Sequence, residues 1–158
     1  MLELVRHHPR FEQVAHSIKP PKPYASVHLR AESDAAAAGF MSIQDYVTQS
    51  LKALKSTPSI RTIYVAIGDD LKLKEYADQM SLHGYTVVDK KKFIDPKVYE
   101  NWDFDQRGII EIAPLINSDY FIGNGMSSLS WIVYRTREWQ DLKSTLVFEP
   151  QPDFKCCF

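Results

Sequence analysis

The stretch DYFIGNGMSSLSWIVYRTRE (119–138) decides how this chain is read. An apolar run from Tyr120 to Ile122 stops at Gly123-Asn124-Gly125, passes Met126, Ser127 and Ser128, and resumes with apolar residues at helical spacing. That pattern is a strand, a tight joint and a helix. The joint reads in two ways. It is a turn whose glycines need positive φ, with Ser127 as an ordinary N-cap. Alternatively, backbone N–H groups and hydroxyls gather there around an anion, at a helix N-terminus whose dipole favours negative charge.

The same alternation extends in both directions. YASVHL (24–29), with prolines before it and polar residues after, suits a buried strand. IQDYVTQSLKALK (43–55) places Ile43, Tyr46, Val47, Leu51 and Leu54 on one helical face, with Ser42 as its cap. TIYVAI (62–67) reads as a strand, 71–84 as a helix ended by Gly84, and YTVVD (85–89) as a strand again. A lysine-rich loop and the acidic, aromatic stretch VYENWDFDQRG (98–108) lead to a helix near 109–117, and STLVFE (144–149) is the last strand. Ahead of them Leu2, Val5, Phe11, Val14 and Ile18 recur at roughly helical intervals. Pro9 interrupts that series, so a helix is expected over 10–17, stopped by Pro20-Pro21-Lys22-Pro23. Strands alternating with helices predict an α/β fold: a Rossmann-like parallel sheet of about five strands, helices on both faces and right-handed crossovers.

Composition bounds the function. The 158 residues suit one domain, 1–158, and 44% hydrophobic with 25% charged residues is ordinary for a globular chain. A net charge of -1 supplies no global field for nucleic acid or an acidic membrane, so any anion site is local. Cys156 and Cys157 are adjacent, which argues against a disulfide framework, and no spaced Cys/His set suggests structural zinc. The N-terminal MLELVRHHPRFEQ lacks the apolar centre of a signal peptide, and no apolar run is long enough to span a bilayer.

In open α/β sheets ligands bind beyond the carboxyl ends of the strands, and two polar clusters fall there. In HLRAESD (28–34), His28 and Arg30 share a strand face, with Glu32 and Asp34 just past its end. Arg30 offers a permanent charge and a planar fork of donors suited to phosphate, or else a salt bridge to Glu32 or Asp34. His28 is either a ligand contact or a hydrogen-bonded core residue. The second cluster is GNGMSS (123–128), whose spacing matches neither G-x-G-x-x-G nor a P-loop. The simplest reading of Lys90-Lys91-Lys92 is a solvated loop, of Tyr99, Trp102 and Phe104 packing over the sheet edge, and of Glu111 a helix-start carboxylate.

YASVHLRAESD resembles the H-x-R motif of the GDP-fucose-dependent fucosyltransferases, the group that includes protein O-fucosyltransferases and nodulation-type α-1,6-fucosyltransferases. SDYFIGNGMSSLSWIVYRTRE is similar to their later motif, in which an acidic residue and F-I-G-N precede a pair of serines. The resemblance runs from Tyr24 to Leu142. It implies one half of a GT-B glycosyltransferase, the C-terminal, donor-binding Rossmann-like domain. It further implies inverting transfer of fucose to a protein or glycan hydroxyl, with GDP-fucose as donor substrate and neither cofactor nor metal.

By the same resemblance Arg30 holds the β-phosphate and stabilises the leaving diphosphate, and His28 lies near the ribose or diphosphate. Ser127 and Ser128 bind the β-phosphate, while Leu129 stands where the family often has an aromatic residue against the nucleotide. Glu111 replaces an Asp that contacts guanine. The N-terminal, acceptor-side domain has no counterpart here, so acceptor contacts are expected from elsewhere. A lumenal location in the endoplasmic reticulum or Golgi is implied. The alternative is a truncated or degenerate module that binds a nucleotide or a partner without catalysis.

Overall fold

The computed structural model describes residues 9–32 and 41–147. Leu2, Val5, Asp34 and the cysteine pair lie outside the described residues.

Helix α1 (Pro9–Ser17) is followed by β1 (Tyr24–His28), α2 (Ile43–Leu54), β2 (Thr62–Ala66), α3 (Asp70–Ser81) and β3 (Thr86–Val88). After two single 3-10 turns come α4 (Phe104–Ile116), β4 (Tyr120–Gly123), α5 (Ser128–Trp139) and β5 (Ser144–Leu146). The five strands form one sheet in the order β3-β2-β1-β4-β5, every neighbouring pair parallel. This is the strand order of doubly wound sheets, in which the order of the strands reverses between β1 and β4.

Strand periodicity divides the core between the two faces of the sheet. Ala25, Val27, Ile63, Val65 and Ile122 face α2 and α3, meeting Tyr46, Val47, Leu54, Tyr76 and Met80. Tyr24, Tyr64, Ala66 and Phe121 face α1, α4 and α5, meeting Ala15, Ile110, Leu115 and Val133. β1 is buried throughout, as a central parallel strand must be.

The helix starts follow local chemistry. Ser42 and Asp45 form a reciprocal capping box at α2, and Asp69 accepts from the Leu71 and Lys72 N–H groups at α3. α4 begins at Phe104, earlier than the 109–117 expected, because Asp103 caps it and Gln106 completes the box. Glu111 therefore lies within the helix rather than at its start. Pro114, a breaker by propensity, is accommodated inside α4 near its end. Gly84, with φ of 79°, ends the α3 region as expected.

Gly123 is not a positive-φ turn residue. A Cβ there would lie 2.8 Å from the Phe121 ring and 3.0 Å from Ser130 Cβ, so glycine is required for β4 to approach α5.

At the amino-terminal edge of the sheet, the fully buried Arg137 donates to the carbonyls of Ile116, Ser118 and Lys143 and to Ser144 Oγ. It stitches the end of α4 to the start of β5. Burial lowers its pKa to about 10, and the nearby Tyr24 and Asp119 oppose that shift.

Candidate functional site

A pocket of about 510 Å³ opens at the carboxyl ends of β1, β2 and β4, on the face covered by α4 and α5. Its walls include both sequence clusters: His28, Arg30 and Glu32 after β1, and Ser127, Ser128 and Leu129 at the start of α5. A pocket of this size suits a small-molecule ligand.

The loops after β1 and β4 are fastened to each other. Tyr46 on α2 places its hydroxyl 3.1 Å from Arg30 N and 2.6 Å from Asn124 Nδ2, and both N–H groups donate to it. Asn124 Oδ1 accepts from Met126 N–H, and its carbonyl accepts from Ser127 N–H. Trp131 Nε1–H donates to the Gly125 carbonyl. Side chains thus hold the GNGMSS turn from within, and the turn carries its serines to the pocket.

Ser127 is the N-cap of α5 by backbone geometry, yet its side chain makes no capping hydrogen bond. The side-chain bond of an ordinary N-cap serine is absent, and the first N–H groups of the helix lack intrahelical partners. Ser127 is buried and Ser128 exposed, and both line the pocket. The dipole of α5 therefore points its positive end into the cavity.

His28 is buried, with Nδ1 2.8 Å from Ser130 Oγ, and that oxygen also accepts from Asn124 N–H. Burial pushes the imidazole down to about 4; Glu32 opposes that shift and Arg30 reinforces it. The ring is neutral at pH 7. In the tautomer in which Ser130 O–H donates to Nδ1, Nε2–H is the remaining donor of the ring.

Arg30 Nη1 lies 2.7 Å from Glu32 Oε2, and Glu32 Oε1 accepts from Gly68 N–H. The guanidinium carbon is 6.0 Å from the centre of the Phe104 ring. The Arg30–Glu32 salt bridge is present, and Arg30 nonetheless lines the pocket.

Three sequence expectations need correction. Lys90 does not belong to a solvated loop: it is buried, with Nζ 2.5 Å from Glu111 Oε1. Phe104 does not pack over the sheet edge but is 65% exposed at the pocket, whereas Tyr99 and Trp102 are buried as expected. Glu111 sits on the pocket floor, accepting from Lys90 and from the Tyr64 hydroxyl, and burial raises its pKa while Lys90 pulls it back. Tyr46, Tyr64, Asn124, Ser130 and Lys90 all build the site without having been singled out for it. Asn124 had a local signal, since it lies within the quoted joint; Tyr46 read only as part of an apolar helical face and Tyr64 only as part of the strand TIYVAI.

No protein-family model matches the sequence, and no curated protein does. Among solved structures, the chain is similar to POFUT1 in its apo form, with a TM-score of 0.63 at 17% identity over 87% of this chain and 45% of that one. The chain has the fold of POFUT1. POFUT1 in complex with GDP matches with a TM-score of 0.61 at 17% identity, covering 87% of this chain and 46% of that one. POFUT1 in complex with GDP-fucose matches with a TM-score of 0.58 at 17% identity, covering 82% and 42%. The chain thus spans less than half the length of the POFUT1 chains it resembles. Among the described residues no helix is long and apolar enough to cross a membrane.

Proposed function

We propose that this chain is the donor-nucleotide-binding part of an inverting, metal-independent fucosyltransferase that uses GDP-fucose and no further cofactor. The observation that carries the reading is the convergence of Arg30, His28 and the open N-terminus of α5, with Ser127 and Ser128, on one strand-end pocket. Both POFUT1 ligand complexes named above share this fold, which supports the choice of nucleotide.

In this reading the diphosphate lies against Ser127, Ser128 and the first N–H groups of α5, with Leu129 beside the nucleotide. Arg30, oriented by Glu32, meets the β-phosphate. As the bond from the anomeric carbon to the β-phosphate oxygen breaks, negative charge grows on the diphosphate, and Arg30 with the helix N-terminus stabilises it. The neutral His28 contributes a hydrogen bond near the ribose or diphosphate without adding charge. Glu111 contacts guanine. When departure of the diphosphate dominates the barrier, this wall of the cleft needs no strong base.

The acceptor is a protein or glycan hydroxyl, held by residues outside this chain, and the setting is the lumen of the secretory pathway. Positioning that hydroxyl accounts for much of the rate, so this chain alone is expected to bind donor without transferring fucose.

Calorimetric titration with GDP, GDP-fucose, UDP and ADP tests the first step: equal affinity for all four removes the guanine-nucleotide reading. A radiolabelled-fucose assay on folded epidermal-growth-factor-like and thrombospondin-like domains tests the second. Robust transfer by the isolated chain overturns the half-enzyme reading.

A further inference from the structure

The pocket floor holds a buried ion pair that the phosphate contacts leave unexplained. Lys90, on the 3-10 turn after β3, reaches across to Glu111 of α4, and both line the pocket. One Lys90 N–H is placed toward Glu111 Oε1 and another toward the Ile67 carbonyl at 3.3 Å. A lysine ammonium has a third. Glu111 has one oxygen bonded by Lys90 and the other by Tyr64, and each carboxylate oxygen can accept again. A fixed donor therefore stands beside a fixed acceptor. Buried ion pairs contribute little net stability, so stability alone gives a weak reason for placing one at a cavity wall. Beside it, Tyr99 also lines the pocket, and its buried hydroxyl has no hydrogen-bond partner. Lys90 Nζ lies 6.0 Å from the centre of the Tyr99 ring.

We propose that Lys90 is a specificity-determining residue of this pocket, donating to O6 of guanine while Glu111 accepts from the adjacent N1–H. The inference rests on the reading of the pocket as a GDP site. Guanine presents an acceptor, O6, next to a donor, N1–H. Adenine reverses both, with an amino donor at the 6-position and an unprotonated N1. Against adenine, the Lys90 ammonium would face a donor and the Glu111 carboxylate a lone pair. Unpaired buried groups of this kind discriminate strongly between ligands. The Tyr99 hydroxyl, which also lines the pocket, is a further donor, and guanine presents two acceptors there, O6 and N7.

The experiment titrates GDP, inosine diphosphate and ADP calorimetrically into the wild-type chain, Lys90→Met and Lys90→Met/Glu111→Gln, with melting temperatures measured alongside. Inosine diphosphate keeps O6 and N1–H, so the wild type should bind it, like GDP, at least about tenfold tighter than ADP. Lys90→Met should weaken GDP and inosine diphosphate by about 10- to 100-fold and leave ADP nearly unchanged. If the unpaired Glu111 carboxylate prevents folding, the uncharged double variant is read by the same criterion. Retention of the guanine preference overturns the assignment, as does an equal loss for GDP and ADP, which would make Lys90 a phosphate contact. A wild type that binds no nucleotide overturns the pocket reading itself. One that binds GDP and ADP equally leaves the diphosphate site standing and removes the base reader.

Discussion

The Tyr46 hydroxyl and the Asn124 side-chain amide, 78 residues apart in the chain, meet at 2.6 Å. The same hydroxyl accepts from Arg30 N–H, so one α2 side chain sets the distance between the loops that border the pocket. Tyr46→Phe keeps the ring in the core and leaves both donors without their partner. It is expected to lower stability by about 1–3 kcal/mol and to weaken GDP. Urea melts and titration of the same variant check both; unchanged GDP affinity would show that the spacing does not matter for binding.

Arg30→Ala is expected to weaken GDP by about 1.5–3 kcal/mol, the range for a charge-assisted hydrogen bond. Stability should change far less, since the Arg30–Glu32 pair is partly open to solvent. Unfolding with affinity retained would make Arg30 structural.

The serines separate by ligand. Ser127→Ala and Ser128→Ala should each weaken GDP and leave GMP nearly unchanged, because the contact is to the β-phosphate. Since Ser127 makes no side-chain capping bond, its replacement should cost well under the ~1 kcal/mol typical of a lost N-cap. Melting temperatures recorded beside the titrations distinguish a binding role from a cap.

His28 gives the fold a pH dependence of defined sign. Its folded pKa, about 4, lies below the ordinary histidine value of 6.5, so between them the unfolded chain binds more protons than the folded one. Stability is full above that ordinary value and is lost as pH falls toward the folded one, by up to about 3 kcal/mol. Denaturant melts across this interval should show the loss in the wild type and a shallower slope in His28→Gln. Parallel slopes would assign the acid sensitivity elsewhere.

Gly123→Ala places a methyl group 2.8 Å from the Phe121 ring, within the core between β4 and α5. Overpacking of this kind costs about 1–3 kcal/mol, and the shift of α5 should also weaken GDP. A thermal melt at wild-type temperature would show that the helix gives way freely.

Much of this was legible in the sequence. Apolar periodicity, the prolines at 20–23 and the caps at Ser42 and Gly84 were sufficient for the alternation of strands and helices, and hence for a parallel sheet. The joint after Ile122 and the H-x-R stretch announced themselves because glycine, serine and arginine at strand ends have few local explanations. α4 starts at Phe104 rather than near 109 because the Asp103–Gln106 capping box fixes its first turn, a local signal lying inside the acidic, aromatic stretch 98–108.

Burial and long-range partnership were decided by the tertiary structure alone. Lys90 stands in a run of three lysines, and nothing local distinguishes the one that crosses to Glu111 from its solvated neighbours. Tyr46 belongs to an apolar helical face by spacing and Tyr64 to an apolar strand, and their hydroxyls acquire roles only when strands and helices distant in sequence are stacked. Ser127 has the composition of an N-cap, but only the folded turn, held by Asn124, shows that its side chain makes no capping bond. Hydrophobic periodicity is a property of neighbouring residues and survives without the fold. A hydrogen bond between side chains far apart in sequence exists only once the core has fixed the distance between them.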